Sequence, residues 1–250
     1  MSARDIGISF GNNRVLESVS FDLHKGETLG VIGPNGAGKT VLLNILTGIL
    51  RPAHGEVFLD GIEITKKGIT ERTMMGLGRT FQIPRSFENM TAYENTLVGA
   101  VFGKDITERA AEERAHEVLD IIGLSGKKRV FAGKLGLLDR KRLEIGIALA
   151  GGPSVLLLDE AAGGLTESET MEVLEIVGSV KASGVGVIWI EHVLQTMLHG
   201  TERILLLAEG RDLLCGPPQE VMGSKEVERV YLGAGGIGAG RRAKQARQAQ

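Results

Sequence analysis

The apolar run Thr28-Leu29-Gly30-Val31-Ile32 breaks into Gly33-Pro34-Asn35-Gly36-Ala37-Gly38-Lys39-Thr40 and then passes directly into Val41-Leu42-Leu43-Asn44-Ile45-Leu46. A strand-sized apolar segment, a glycine-rich loop and a run with helical spacing can be joined in one economical way, as strand, tight turn and helix. Glycines at this junction free backbone N–H groups to converge at the helix N-terminus, where the helix dipole also favours negative charge. Lys39 adds a point charge for the β and γ phosphates of a nucleotide, and the Thr40 hydroxyl is placed to reach Mg²⁺. Residues Gly33, Pro34, Asn35, Gly36, Ala37, Gly38, Lys39, Thr40 and Val41 are therefore the expected nucleotide-phosphate-binding stretch. A merely structural glycine-rich turn would not need the strand before it and the helix after it.

The rest of the chain repeats the theme. Apolar segments at residues 155–158, 185–190 and 204–207 alternate with helical patterns, which predicts a largely parallel sheet covered by helices, an α/β fold. A length of 250 residues with 42% hydrophobic residues suits one sizeable core. Residues 15–23 and 56–64 read as antiparallel strands, the second pair turning at Asp60-Gly61, and predict a small antiparallel β-lobe. Residues 91–101, 107–122 and 139–150 read as three helices with no good strand between them, so a helical subdomain of about residues 83–150 is inserted into the core. Thr166 and Glu169 form a capping box that opens a further helix to about Val180.

Glycine is abundant, at 36 residues, but has no three-residue period, so it belongs to turns rather than to a collagen-like repeat. The single Cys215 cannot make an intrachain disulfide, and the N-terminal MSARDIGISF lacks the apolar stretch of a secretory signal; a reducing cytosol is expected. The apolar runs are strand-sized, far short of the ~20 residues that span a bilayer, so any membrane association is expected to be peripheral or through partners. The formal charge of −2 conceals an asymmetry: residues 233–250 hold Arg241, Arg242, Lys244 and Arg247 with no acid, against twenty-five basic and thirty-one acidic residues elsewhere. That basic tail, rich in Gly and Ala, is expected to be disordered, with contact to anionic lipid headgroups as the sharper reading.

Chemistry is expected at the carboxyl edge of the sheet, where ligands bind α/β folds. Val155-Leu156-Leu157-Leu158-Asp159-Glu160 reads as a buried strand ending in two carboxylates. Beside a phosphate-binding loop, Asp159 would organise the Mg²⁺ shell and Glu160 would orient or deprotonate an attacking water. His192 follows the next strand and is placed for a γ-phosphate contact. Gln82, after a short strand at residues 79–81, is a candidate ligand for Mg²⁺ or its water.

The phosphate loop, Gln82, Asp159-Glu160 and His192 resemble, in order and spacing, the ATPase subunits of ABC transporters over roughly residues 4–232. The resemblance implies a P-loop NTPase core with the β-lobe and helical insertion described above, two ATPase subunits closing head to tail around Mg-ATP, and transmembrane permease subunits as partners. Lys39, Gln82, Glu160 and His192 then carry catalysis, and Phe10 matches the aromatic that stacks on adenine; an edge-strand core role is the alternative for Phe10. Gly78-Arg79-Thr80-Phe81-Gln82, Arg142-Leu143-Glu144-Ile145, Ala162-Gly163-Gly164-Leu165 and Tyr231-Leu232-Gly233 look like the branched-chain amino acid importers. That narrower likeness implies an extracytoplasmic substrate-binding protein, a position on the cytoplasmic side of the cell membrane, no nucleic-acid partner, and a cargo among branched-chain or related amino acids, with urea and amides left open. It also implies that residues 83–99 form the groove for a cytoplasmic helix of the permease.

Two stretches depart from the resemblance: the loop after Glu160, with Ala161 at a usual Pro and Thr166 at a usual Asp or Asn, and the signature motif. The family signature is LSGGQ or a close variant, and the aligned residues are Leu135-Gly136-Leu137-Leu138-Asp139. Gly136 lacks the hydroxyl that meets the γ-phosphate on the opposite subunit, Leu138 adds a Cβ, and Asp139 brings negative charge or, alternatively, N-caps its helix. The expected consequence is a heterodimer in which a different ATPase subunit supplies a sound signature to this chain's nucleotide. The rival is an ATP-gated clamp with little hydrolysis of its own.

Overall fold

A computed structural model describes residues 1–103 and 106–233, so the basic tail lies outside the described residues. The chain opens with β1 (Ser2–Phe10) and β2 (Asn13–Asp22), then β3 (Thr28–Ile32) and α1 (Lys39–Leu46). Next come β4 (His54–Leu59), β5 (Ile62–Glu63), α2 (Ile69–Met74) and β6 (Leu77–Arg79). Three longer helices follow: α3 (Ala92–Gly103), α4 (Glu108–Ile121) and α5 (Leu137–Ala150). The chain closes with β7 (Val155–Asp159), α6 (Glu167–Ala182), β8 (Gly186–Ile190), α7 (Leu194–Gly200), β9 (Arg203–Ala208), β10 (Arg211–Gly216), α8 (Pro218–Met222) and α9 (Lys225–Gly233).

Among the described residues ten strands join one sheet in the order β5-β4-β1-β2-β10-β9-β3-β8-β7-β6. Pairings from β9 through β3, β8, β7 and β6 are parallel, and those among β1, β2, β4 and β5 are antiparallel. This is the expected α/β core with an antiparallel lobe, and α3, α4 and α5 form the helical part between β6 and β7.

Strands buried on both faces must be apolar throughout, and here their alternate residues feed two separate cores. Leu156 and Leu158 of β7, Val187 and Trp189 of β8, and Ile204 and Leu206 of β9 pack towards the longer helices. Val155, Leu157, Ile188, Ile190, Leu205 and Leu207 face the other way, onto Leu42, Leu43, Ile45 and Leu46 of α1 and the β-lobe. The helix that follows the phosphate loop is thus pinned by its apolar face to the central strands.

Two elements differ from the sequence reading. The sequence anticipates β1 only as an edge strand at Phe10 and not over its full length, because Arg4-Asp5 interrupts its alternation; Asp5 takes φ 51° and the register shifts between Ala3 and Ile6, so that Ala3, Ile6 and Ile8 are all buried. A bulge of this kind hides the period of two. The short strand before Gln82 ends at Arg79 rather than Phe81, although Thr80 N–H still bonds the Leu157 carbonyl at 2.9 Å. The capping box at Thr166 is present, its hydroxyl accepting from the Glu169 N–H and its own N–H donating to the Glu169 carboxylate at 2.8 Å.

Candidate functional site

The phosphate loop is shaped by two glycines. A Cβ on Gly33 would lie 2.0 Å from the Leu207 carbonyl oxygen, and Gly38, the N-cap of α1, takes φ 97° with Leu16 against it. No side chain caps the N-terminus of α1. Its first N–H groups, on Lys39, Thr40 and Val41, are therefore left to an anion. Lys39 is buried and folds back so that its Nζ donates to the Gly33 carbonyl at 2.6 Å and the Pro34 carbonyl at 3.0 Å. Burial pushes its pKa down, and the nearby Glu160 and Asp159 oppose that shift.

At the other end of α1 the last carbonyls meet a buried cation, although Ile45 also accepts the Gly48 N–H at 3.1 Å. The Arg72 guanidinium donates to Ile45 and Leu46 carbonyls at 2.7 and 2.8 Å, and to Lys67 and Thr65 carbonyls at 2.9 Å each. A cation there complements the negative end of the helix dipole whose positive end faces the loop.

Glu160 is the centre of the site. It follows β7 with φ 51°, a conformation costly for a non-glycine residue. Its N–H donates to the Ile190 carbonyl at 2.9 Å and its own carbonyl accepts from Lys141 Nζ at 2.8 Å. Both carboxylate oxygens are engaged: Gln82 Nε2 lies 2.6 Å from Oε2, and His192 Nε2 lies 2.6 Å from Oε1. Asp159 is buried beside it, 3.3 Å from an Arg79 nitrogen whose partner nitrogen donates to Asn44 of α1 at 2.8 Å. Burial raises the Asp159 pKa, against the pull of Arg79. A cavity of about 490 Å³ is lined by Val15, residues 35–41, Glu160, Ile190 and His192.

The structure thus brings together every expected catalytic residue and most of the expected loop. Phe10 does not join them: it is 50% exposed at the end of β1 and is not among the cavity's lining residues, where Val15 of β2 stands instead. Arg79, Lys141 and Glu144 were given no role by the sequence. The signal available was weak: Arg79 ends a short apolar strand, but Lys141 and Glu144 sit in a charged helix start, and only their burial obliges them to find partners.

The departed signature also looks different in three dimensions. Asp139 is not an N-cap, because α5 begins at Leu137 with Gly136 as the capping residue. The helix starts one turn earlier than Asp139 needs for capping, and its carboxylate instead turns inward to Lys127 at 2.5 Å and Arg142 at 3.8 Å. Its charge is therefore compensated within the chain, whereas Gly136 still lacks a hydroxyl and Leu137 is exposed.

Comparisons with known proteins agree with this arrangement. The family model for ABC transporters matches residues 16–163. The lipopolysaccharide export system ATP-binding protein LptB of Acidithiobacillus ferridurans is 33% identical over 233 residues, 93% of this chain and 96% of its own length. The probable branched-chain amino acid transport ATP-binding protein LivG of Methanocaldococcus jannaschii is 31% identical over 240 residues, covering 90% of this chain and 93% of its own. The ADP conformation of an ATP-binding cassette of an ABC transporter superposes with a TM-score of 0.84 at 29% identity, covering 93% of this chain and 98% of that one. Fold, site and relatives together place this chain in the ABC transporter family, as an ATPase subunit.

Proposed function

We propose that this chain powers an importer for branched-chain or related amino acids, hydrolysing ATP at the site built on Lys39 and Glu160. The observation that carries the hydrolytic reading is the convergence of Gln82 and His192 on the two oxygens of Glu160, each at 2.6 Å, beside the phosphate loop. In this reading Glu160 positions and deprotonates the attacking water, while Lys39 and His192 stabilise charge that develops on the γ-phosphoryl oxygens. The donor set suits Mg²⁺: the Thr40 hydroxyl and the Asp159 carboxylate are hard oxygen donors, and Gln82 keeps its amide oxygen while its nitrogen bonds Glu160. When bound, Mg²⁺ would neutralise charge shared by the β and γ phosphates. Arg79 compensates the Asp159 carboxylate and ties it to α1 through Asn44.

The partners follow from surfaces as well as from kinship. Among the described residues no helix is long and apolar enough to cross a membrane. An apolar cavity of about 320 Å³ between α2, β6, α3 and α5 is lined by Ile49, Ile69, Phe81, Val98, Phe102 and Ile147 among others. Phe102 is 77% exposed at its rim, and Ile83 and Phe87 are exposed on the loop after Gln82. These features support docking of a permease helix on the segment that also carries Gln82. The α5 N-terminus supports pairing with a different ATPase subunit, since Gly136 offers that subunit's nucleotide no hydroxyl.

Import of amino acids is favoured by the LivG relative and by the motifs around Gln82 and Tyr231; the LptB relatives favour a second reading, lipopolysaccharide export. The complex purified from native membranes, reconstituted in vesicles, separates them: ATP-dependent uptake of leucine, isoleucine, valine or a related amino acid is expected, and absence of ATP-dependent uptake of any amino acid would overturn the importer reading. In the same complex Glu160→Gln should retain ATP binding and lose hydrolysis by ~10²-fold or more. Turnover surviving within a few-fold would overturn the assignment of Glu160.

A further inference from the structure

We infer that Lys141 and Glu144 of α5 are positioning residues that hold Glu160 and Gln82 in contact with each other, an inference that rests on the hydrolytic reading of that pair. Charged side chains are almost never fully buried without partners. Lys141 is 6% exposed and Glu144 7% exposed, three residues apart on one helix face. Their hydrogen bonds run not to each other but to the backbones of the two loops that meet at the catalytic carboxylate.

Lys141 Nζ donates to the Glu160 carbonyl at 2.8 Å. That bond secures a residue held at φ 51°, a conformation that persists only where its surroundings over-determine it. Glu144 accepts from the Arg85 N–H at 2.9 Å with one oxygen and from the Phe81 N–H at 3.3 Å with the other. Phe81 and Arg85 bracket Gln82, so a single carboxylate fixes both ends of the short arc that carries the amide. The arc is stiffened further by the Arg85 guanidinium, 4.4 Å from the Phe81 ring centroid, and by Arg79 at 5.0 Å from the same ring.

Docking of α5 does not require these charges. Leu143, Ile145 and Leu149 already bury the helix against the core, and an apolar pair would do the same without the desolvation cost. What the charges add is direction: one rigid helix grips the Glu160 backbone with a donor and the Gln82 loop with an acceptor, one turn apart. The resulting Gln82–Glu160 distance of 2.6 Å is set by α5 rather than by either loop alone. Since α5 starts at the surface next to Gly136, a displacement of that end would shift both grips together.

The test uses two readouts on the full-length chain. In hydrogen exchange on the isolated protein, Glu144→Gln, which keeps the side-chain shape, and Glu144→Ala should both speed exchange at Arg85 and Phe81, by ~10- to 100-fold for Ala, as expected for loss of charge-assisted bonds. In the complex purified from native membranes, Glu144→Ala and Lys141→Met should each lower kcat about tenfold with KM for ATP nearly unchanged. Adding Glu144→Ala to Gln82→Ala should cost no more than Gln82→Ala alone. Unchanged exchange at both amides, or losses that multiply in the double variant, would overturn the inference. If Gln82→Ala itself leaves kcat intact, the role given to Gln82 fails, and the exchange experiment still decides whether Glu144 holds its loop.

Discussion

Arg72→Met tests whether the helix behind the phosphate loop is anchored at its far end. The Arg72 side chain is fully buried, and its four hydrogen bonds, all to backbone carbonyls, tie α1 to the segment around Thr65 and Lys67. Methionine keeps similar bulk but removes every donor. Bonds from a charged donor contribute ~1.5–3 kcal/mol each, and the cost of burying the guanidinium offsets much of their sum. That cost is visible in the downward pull that burial exerts on the Arg72 pKa. Removing the donors leaves the Lys67, Thr65 and Leu46 carbonyls short of a partner, while Ile45 keeps the Gly48 N–H at 3.1 Å; at ~1–3 kcal/mol per unsatisfied buried acceptor, less the desolvation recovered, the net loss should be ~3–5 kcal/mol. For a chain of this length that corresponds to a fall in Tm of about 10 °C, measured by calorimetry or circular dichroism. Arg72→Lys, whose single ammonium cannot reach all four carbonyls, should fall between. ATP affinity, read by titration calorimetry below the melting transition, should weaken by less than tenfold because the loop donors are intact. A Tm shift under about 2 °C for Arg72→Met would refute the anchoring argument.

Lys39→Ala removes the cation of the phosphate loop, so ATP affinity measured by titration calorimetry should fall by ~10²-fold; unchanged affinity would count against the loop as the phosphate site. Glu191 is fully buried, its pKa is raised from 4.5 chiefly by burial, and one of its carboxylate oxygens has no partner. A carboxyl with a raised folded pKa binds more protons folded than unfolded, so its contribution to stability declines as pH rises from about 4.5 through the folded value. Glu191→Gln, which cannot ionise, should therefore gain in Tm over the wild type as pH rises through that window, with the gap closing near pH 4.5; a gap that widens on acidification would reverse the sign of the reasoning.

The parts of this protein legible in the sequence are those where one local pattern decides the outcome. The strand–loop–helix around Gly33, the apolar strand ending at Asp159-Glu160 and the Thr166 capping box each state their geometry within a few residues. Other features depend on partners distant in the chain. β1 hides behind the bulge at Asp5, and Asp139 reads as free negative charge or as an N-cap because its salt bridge to Lys127 lies twelve residues back on a separate turn. Val15 faces the cavity only because β2 crosses behind Gly38, and Phe10, read as the adenine stacker, lies outside the cavity lining. Lys141 and Glu144 look like ordinary members of a charged helix start until the sheet places two loops beneath them.

Assembly of the site follows from strand order. The loops carrying Lys39, His192, Glu160 and Gln82 leave β3, β8, β7 and β6, which are adjacent in that order and mutually parallel. Parallel strands deliver their carboxyl ends to the same edge, and neighbours lie ~4.8 Å apart, so each loop meets the next within side-chain reach. Chain order is different: β6 precedes β7 by the whole helical insertion, and β8 comes last although it lies between β3 and β7. The insertion of α3, α4 and α5 between β6 and β7 is what lets α5 return over that edge and grip both Gln82's loop and Glu160. A helical element joined anywhere else in the chain could present an apolar groove to a permease, but it would not be continuous with Gln82 at one end and with β7 at the other. The same connection therefore joins the surface proposed for docking to the carboxylate proposed for hydrolysis, with the distance between Gln82 and Glu160 as the quantity through which one would act on the other.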